Sequence, residues 1–531
     1  GKINEYFQIT AGYNVRYGWN NDFRQIQVGR SAGFQNRTAL GIRLRLKALT
    51  APLFEESDPS KGQPEVTQPK PKTRSREIDE TGENKGEPVP DGKVAQTPDP
   101  SAPQDTVPKV KKPSLLNNLW GILKNGIRIL IFDYDNITVD FSNDVSVSAN
   151  GIRGFGNGFK NFWGLKQSNE EGPNRMFLLG LNHDVGPRAP NANLTDNYSE
   201  RNNIDIRTSK PLWEGAKIDL SWKVGWSISK STTMQSDNDG NLFIQNISST
   251  GNTTRSFFTM PPVLFLSIFK SGIKRVNELY DRNSTDPAGN LSSAFVKGFE
   301  SLPLLASLGP LGEFTNYIPR PNWRMTWDGL EKLGIFQGFA KRVSLDHSYS
   351  SEYTEGWKIT PDGNKVVQTQ RINYSFAPLI GLNITFNNLW GGNFTGRIQY
   401  NTRTSYDLGT STRNITENLN RDIGISFNYA KSGFEIPLFG LSLKNDIEFS
   451  FSYTSTKNST VQFDMERFTD EGIPQNGTTT TTIEPRIKYV ISSRVTLSLF
   501  YKRSDTTPEG AARIPPTTRN EAGLDIKISI Q

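Results

Sequence analysis

Between Leu441 and Thr454 the side chains alternate between apolar and polar, and this alternation constrains the fold more than any other feature. The odd positions are Leu441, Leu443, Ile447, Phe449, Phe451 and Tyr453, and the even positions are Ser442, Lys444, Asp446, Glu448, Ser450, Ser452 and Thr454. Because successive side chains of a strand point to opposite faces, the run predicts a strand with one apolar face. It exceeds the usual strand of about five or six residues. It matches a tilted strand crossing roughly 25 to 30 Å of hydrocarbon.

The same pattern recurs along the chain. The alternation of apolar and polar side chains is found in residues 3 to 48, Ile129 to Ala149, Asn203 to Thr208, Lys217 to Lys230, Phe394 to Tyr406, Asp422 to Tyr429, Ile483 to Tyr501 and Leu524 to Ile530. Strands of about ten residues with turns predict roughly 14 to 18 membrane-length strands. The predicted fold is all-β: the wall of a large antiparallel transmembrane β-barrel, a partial barrel, with a few short helical inserts.

Composition supports a barrel wall over a soluble core. Hydrophobic residues make up only 34% of the 531-residue chain, while aromatic residues reach 11%. This pairing is usual where half of each strand is polar. The chain has no cysteine, which excludes disulfides, thiol nucleophiles and thiolate metal sites. The net charge of +7 is modest, and no apolar run is long enough to predict a membrane helix.

Five segments are predicted. Residues 1–54 hold the first barrel strands, 55–113 a Pro-rich charged insertion, 114–256 an amphipathic helix followed by strands and loops, 257–318 a mixed helical and loop insert, and 319–531 the C-terminal strands. The insertion has no aromatic residue, and such a segment cannot offset its chain entropy by burial, so it is predicted to be disordered outside the membrane. The insert is expected to fold against the lumen or an end of the wall.

The amphipathic helix is predicted from apolar residues at helical spacing. They are Leu115, Leu116, Leu119, Trp120, Leu123 and Ile127. The pattern fits a helix on the membrane surface, a pore cap, or a helix packed on the barrel end.

The stretch Ile318 to Lys332 begins with Pro319 and Pro321, which cannot donate to a ladder. Three apolar residues then alternate with polar ones, which is strand periodicity. They are Trp323, Met325 and Trp327. Asp328-Gly329 predicts a turn that ends the strand.

This stretch resembles the Pro-Asn-Trp-Arg…Tyr/Trp-Asp-Gly-Leu segment of the SprA family, the outer-membrane translocons of the bacterial type IX secretion system. Further matches keep the family's order over most of the chain: Ala11 to Trp19, Ile204 to Leu220, Leu345 to Tyr353, Phe376 to Leu382, Tyr400 to Arg403 and Thr416-Glu417. They cover only the family's C-terminal part. The insertion at 55–112 departs from the family pattern. So does the end at Ile528 to Gln531, where many outer-membrane barrels finish on an aromatic residue.

The resemblance implies a protein-conducting pore in the outer membrane of a member of the Bacteroidota. Such a pore passes folded secreted proteins, including those for gliding motility and surface export. The implied partners are membrane lipid, secreted cargo proteins, an outer-membrane shuttle protein at a lateral opening and a periplasmic plug protein.

The residue patterns predict no catalytic, cofactor-binding or metal-binding residue. His183 and His347 lack metal-ligand spacing, and His347 is expected to serve the wall or lumen. Asp237 to Gly240 could form a calcium loop or a hairpin turn, and the pattern favours the hairpin turn. Basic residues alternate with wall residues and do not cluster with aromatic platforms, so nucleic-acid binding is not expected.

Strand periodicity alone leaves other functions open. A nutrient-uptake barrel has the same pattern, a secreted or surface β protein serving adhesion is the runner-up, and an outer-membrane enzyme using His347 is a third. The start at Gly1 is neither a signal peptide nor an initiating methionine, so the chain is interpreted as a fragment with its export signal upstream. Residues 3 to 17 and 520 to 530 are then expected to be sheet edges that do not pair with each other.

The proline-rich segment gives a first testable prediction. Limited proteolysis should cut residues 55 to 112 before any strand, because extended polar chain is open to a protease. The strand Leu441 to Thr454 serves as the protected reference. Equal protection of the two segments would contradict the prediction.

Overall fold

The computed structural model describes residues 6–20, 30–46, 134, 136–153, 172–239, 241–259, 272–300, 320–438, 441–492, 494–509 and 515–529, without the side chains of 435–438 and 441–444. These residues belong to one compact unit formed by residues 1–49 and 134–531. The predicted insertion at 55–113, the predicted amphipathic helix at Leu115 to Ile127, and the proline at 319 lie outside the described residues.

The described residues form one antiparallel sheet of 15 strands. The strands are β1 Phe7–Asn20, β2 Arg30–Leu44, β3 Ile137–Ile152, β4 Asn193–Trp213, β5 Ala216–Ser236, β6 Leu242–Ser256, β7 Asn322–Asp328, β8 Ala340–Ile359, β9 Lys365–Phe386, β10 Asn393–Gly409, β11 Asn414–Leu438, β12 Leu441–Asp464, β13 Ile473–Val490, β14 Val495–Pro508 and β15 Thr517–Ile528. Sequence neighbours pair with each other, apart from β6 and β7. The predicted all-β, antiparallel class is confirmed.

Strands β6 and β7 share one position in the sheet. Both pair with β5 on one side and β8 on the other. Strand β6 ends opposite Val224, and β7 begins opposite Ser221 in the same direction. Residues 257–321 therefore leave the sheet in the middle of one strand and return to continue it. The 15 strands fill 14 positions across the sheet.

The ladders sort the side chains onto two faces. Phe449 lies directly opposite Tyr429 and Ile487, and Ser450 lies opposite Asn428 and Arg486. Residues directly opposite in antiparallel strands share a face. We call the side of Phe449 the apolar face and the side of Ser450 the polar face. The predicted alternation of β12 is confirmed wherever its side chains are described.

Three short helical segments accompany the sheet: α1 Arg175–Leu178, α2 Ile273–Leu279 and α3 Pro287–Phe299. Asp286 caps α3, because its side chain accepts the Gly289 N–H at 3.0 Å, and Pro287 occupies the first turn. The helices α2 and α3 bury Val276, Leu291, Phe295 and Phe299 together with apolar-face residues of five strands. The helical insert thus packs on the apolar face.

Two boundaries differ from the sequence-based prediction. Residues Ile483 to Tyr501 form two strands, because the Ser492 hydroxyl accepts the N–H groups of Arg494 and Val495 and closes a turn. The strand predicted at Asn203 to Thr208 begins earlier, at Asn193, and extends to Trp213, because β4 pairs with β5 over this length. The predicted turn after β7 is confirmed, with Gly329 at φ 88°.

The outermost strands are β1 and β15. The first pairs with β2 and the last with β14. Within the described residues they form no ladder with each other, which is the arrangement expected for two sheet edges.

The packing of α3 gives a stability prediction. Phe295 is fully buried against Phe299, so Phe295→Ala should leave a cavity costing about 3–5 kcal/mol. Hydrogen exchange of the α3 amides should report this as easier local opening. The exposed neighbour Lys297→Ala is the control and should change opening by less than about 0.5 kcal/mol. Equal effects of the two substitutions would contradict the assigned packing.

Candidate functional site

The candidate site is an apolar band that crosses the apolar face from one edge of the sheet to the other. We call the strand ends at turns 214–215, 387–392 and 491–494 the lower end, and the ends at 360–364, 410–413 and 465–472 the upper end. The band occupies the lower half of the strands. It includes Phe7 to Ala11 in β1, Ile218 to Trp226 in β5, Trp323 to Trp327 in β7, Phe376 to Phe386 in β9, Ile447 to Tyr453 in β12 and Leu524 to Ile528 in β15.

The band is continuous across strands and lies open. Phe449, Ile487, Leu499 and Leu524 follow one another in directly opposed pairs from β12 to β15. All four are exposed, and Leu524 keeps 58% of its accessible surface. A soluble monomer rarely exposes an apolar patch of more than a few hundred Å². The band is therefore a surface that needs an apolar neighbour.

Aromatic rings lie along the lower border of the band and extend into it. Trp213 meets Trp327 edge to face with ring centroids 5.1 Å apart. A further chain of rings runs from β9 to β12, with centroids 4.8 to 6.4 Å apart, through Phe386, Phe394, Phe427 and Phe451. Aromatic girdles of this kind lie at the boundary between hydrocarbon and water in membrane-spanning sheets.

The opposite, polar face carries hydroxyl, amide and charged side chains. One row across β10, β11 and β12 consists of Arg403, Asn420 and Asn458. In β14 the aromatic ring of Phe500 lies on this face, 5.0 Å under the Arg486 guanidinium. The face is thus predominantly polar along these strands.

Charges on the polar face meet opposite charges across the ladders. Arg371 is directly opposite Asp407 and bonds to it. Lys488 is opposite Glu448, with nitrogen and oxygen 3.4 Å apart. Opposite charges in facing positions stabilise a sheet modestly, and exposed pairs of this type contribute about 0–1 kcal/mol. Their larger effect is to cancel local charge along the face.

Two regions in the upper half of the apolar face are covered by other parts of the chain. Near β1 to β3, Phe177 of α1 packs edge to face on Phe34, with centroids 5.0 Å apart. Near β8 to β12, α2 and α3 form the cover, and the ring centroids of Phe299 and Tyr406 are 4.4 Å apart. Elsewhere in the upper half, Ile244 and Ile247 of β6 are exposed on the same face.

Polar contacts hold the helical cover on the upper turns. The Tyr280 hydroxyl and the Arg413 guanidinium both donate to Glu466 at 2.8 Å, and Arg282 donates to the Met465 carbonyl at 3.0 Å. The hydrogen bonds from Arg413 and Tyr280 lower the pKa of Glu466. Burial, and then the bond to Glu466, raises the pKa of Tyr280.

The sequence-predicted positions are placed as follows. His347 lies on the apolar face of β8, with its Nδ1 2.7 Å from the Leu379 carbonyl oxygen and its ring beside Trp323 and Phe376. His183 lies between the rings of Phe34 and Tyr198. In the hairpin joining β5 to β6, the Asp237 carboxylate accepts the Asp239 and Asn241 N–H groups, so that turn is confirmed.

Within the described part of the chain, no group of three or more His, Cys, Asp or Glu side chains could hold a metal ion. No helix there has the length and hydropathy needed to cross a membrane. The contacts that fix the covers were not readable from the sequence, because Tyr280 and Glu466 are 186 residues apart.

Neither a protein-family model nor a curated protein matches this sequence. The functional argument therefore rests on the two faces and the elements that cover them.

The contacts of Glu466 predict a pH dependence. Because its folded pKa is lowered, the contact contributes stability above the ordinary carboxyl pKa and loses it as pH falls through the lowered value. Acidification should therefore expose the α2–α3 segment to an acid-active protease. Glu466→Gln should be cut more readily at neutral pH and show a smaller increase on acidification. An unchanged acid response in Glu466→Gln would show that another group controls the segment.

Proposed function

We propose that this chain forms part of the wall of an outer-membrane transport barrel. In this arrangement the band lies in lipid and the polar face lines a water-filled lumen. The observation that carries the proposal is the open apolar band, which runs through every position of the sheet opposite a polar face. About ten residues of a tilted strand span the hydrocarbon, and the band runs from Ile218 to Trp226 in β5 and from Phe376 to Phe386 in β9.

A surface protein serving adhesion is the less favoured candidate. A sheet that lies in water on both sides would have to bury or break up the band, since such patches drive association. Here the helical cover lies mainly over the upper half and leaves the band exposed at the β12–β15 edge. The open band, with Leu499 and Leu524 exposed at one edge, therefore favours lipid as its neighbour.

We further propose that the pore conducts proteins. The polar face supports this, because charges such as Arg371 with Asp407 and Lys488 with Glu448 are paired across it and many of its side chains carry hydroxyl or amide groups, which gives cargo little to adhere to. The resemblance to the SprA family supports passage of folded secreted proteins by type IX secretion. It also supports the partners: cargo, a shuttle protein at a lateral opening and a periplasmic plug.

In a bilayer both edges of the sheet need a partner strand. Each unpaired edge N–H or C=O in hydrocarbon costs several kcal/mol. Strands β1 and β15 run in opposite directions, since the sheet has 14 alternating positions. We propose that they pair with further wall strands and not with each other. A uniform, long-lived channel formed by this chain alone in a planar bilayer would contradict this part of the proposal.

Two neighbouring residues of β12 lie on opposite faces of the sheet and allow a matched pair of substitutions. Phe449→Arg places a charge in the band and should cost about 2–4 kcal/mol in a membrane-inserted wall. Ser450→Arg places the same charge on the polar face next to Asn428 and should cost much less. Denaturant titration of the folded protein in lipid measures the difference.

Cysteine labelling tests the same facing without a charge, and the chain has no cysteine of its own. In lipid vesicles, a membrane-impermeant maleimide should label Ser450→Cys and spare Phe449→Cys. Equal labelling at both positions would contradict the membrane orientation and favour a sheet in water.

A further inference from the structure

A loop at the lower end of the sheet, Gly329 to Phe339, folds back onto the band. Its Leu330 is buried with Ala340 and Val343. Phe336 packs on the same cluster, which includes Trp327, Leu345, Leu382 and Ile384 of the apolar face. We call this loop the lower cover, by analogy with the helices that cover the upper half.

The polar side chains of the lower cover are hydrogen-bonded, two of them to other parts of the protein and one within the loop. The carboxylate of Glu331 accepts the Val343 N–H at 2.9 Å. The Lys332 ammonium bonds to Glu214 in the neighbouring turn. The Gln337 amide donates to the Lys332 carbonyl at 2.6 Å.

The outward surface of the lower cover carries large apolar side chains beside the exposed Lys332 and Gln337. Ile335 is 80% exposed, and Leu333 and Phe339 are also exposed. In the adjoining turn between β9 and β10, Trp390 is 77% exposed, with its ring 6.2 Å from Tyr429. Exposed apolar side chains that cluster in this way mark a contact site for a protein or a membrane.

The upper cover shows that this chain does build water-facing covers. Helix α2 buries Val276 and turns Lys274, Arg275 and Glu278 outward. Lys274 pairs with Asp470 at 2.8 Å, and Arg275 pairs with Glu278 at 2.8 Å. The two covers pack on the same face of the same sheet, yet the lower cover exposes large apolar side chains where α2 exposes charged ones.

We propose that the lower cover and Trp390 insert into the lipid interface at the lower end of the wall, while the α2–α3 cover stands in water beyond the opposite leaflet. This inference rests on the proposed function and adds the vertical position of the sheet. The occupant is lipid because the lower cover continues the aromatic border: Phe339 lies 6.0 Å from Phe386, and Phe386 lies 4.8 Å from Phe394. Interfacial aromatic and aliphatic side chains bind lipid surfaces in this way.

The length of the strands agrees with this placement. Strand β12 has 24 residues, about twice the number that a tilted strand needs to cross the hydrocarbon. A band confined to the lower half leaves the upper half of such strands outside the bilayer on one side. The outer surface there is provided by α1, α2 and α3.

The experiment uses three single-cysteine variants of the complete chain, each carrying an environment-sensitive fluorophore, in phosphatidylcholine vesicles with nitroxide-labelled acyl chains. Ile335→Cys reports the lower cover, Leu499→Cys the band, and Lys274→Cys the upper cover. All three positions are exposed, so labelling does not require opening of the core. We expect Ile335→Cys to be quenched comparably to Leu499→Cys, and Lys274→Cys to remain unquenched.

The outcomes separate the two proposals. Quenching at Leu499 with none at Ile335 would overturn the lipid-inserted cover and leave the membrane wall intact, pointing to a protein partner at the lower rim. Absence of quenching at both positions would overturn the membrane wall as well. Quenching at Lys274 equal to that at Ile335 would overturn the vertical placement. Because a labelled variant could fold poorly, Trp390→Cys provides a second reporter from the adjoining turn with the same expected result as Ile335→Cys.

Discussion

The antiparallel ladders keep each strand in a register that places its apolar side chains on one face, and the rest of the structure depends on this. A slip of one residue would turn a strand's apolar set toward the opposite face. The mid-strand irregularity of the β9–β10 ladder preserves the faces. Between Tyr400 and Thr402, β10 advances two residues while β9 advances four, from Ile380 to Phe376. Strand β9 thus has two extra residues. Because side chains alternate with a period of two, Phe376 and Ile380 stay on the same face.

The interrupted strand creates a second constraint. Because residues 257–321 leave the sheet between β6 and β7, the edges exposed at the gap need other partners. The Ser256 hydroxyl accepts the Lys223 N–H at 2.9 Å, and the Asn322 side chain accepts the Ser351 N–H at 2.7 Å. Beside the gap, Glu300 pairs with both Arg320 and Arg255. These contacts close the sheet locally, while α2 and α3 of the insert cover the apolar face over β8 to β12.

Strand alternation and turns were predicted from the sequence, because neighbouring residues determine them. The alternation at Leu441 to Thr454 and the Asp328-Gly329 turn were readable, because side-chain period and turn chemistry are properties of neighbouring residues. Strand β6 was not predicted, because its later residues are small and polar on both faces and its pairing is set by β5 and β8. The β13–β14 turn at Ile491 to Arg494 contains neither Gly nor Pro, so the sequence did not predict a turn there.

The sequence predicts that the strands have an apolar face, but not how far the apolar band extends along them. The sequence indicates which residues share a face within one strand, whereas the height of the band depends on the register between strands. The covers of the apolar face depend on contacts such as Lys274 with Asp470, far apart in sequence. The apolar outer surface of Leu333 and Ile335 becomes meaningful only once Leu330 is seen to pack inward.

A spin-label scan along β12 tests the central claim most directly, by comparing accessibility to oxygen, which concentrates in lipid, with accessibility to a water-soluble nickel complex. From Ile447 to Tyr453 the account predicts that odd positions favour oxygen and even positions favour nickel. It predicts that the oxygen preference ends above Ser455, toward Phe463 under the helical cover. Nickel access at both odd and even positions from Ile447 to Tyr453 would contradict the account, because both faces of the sheet would then lie in water.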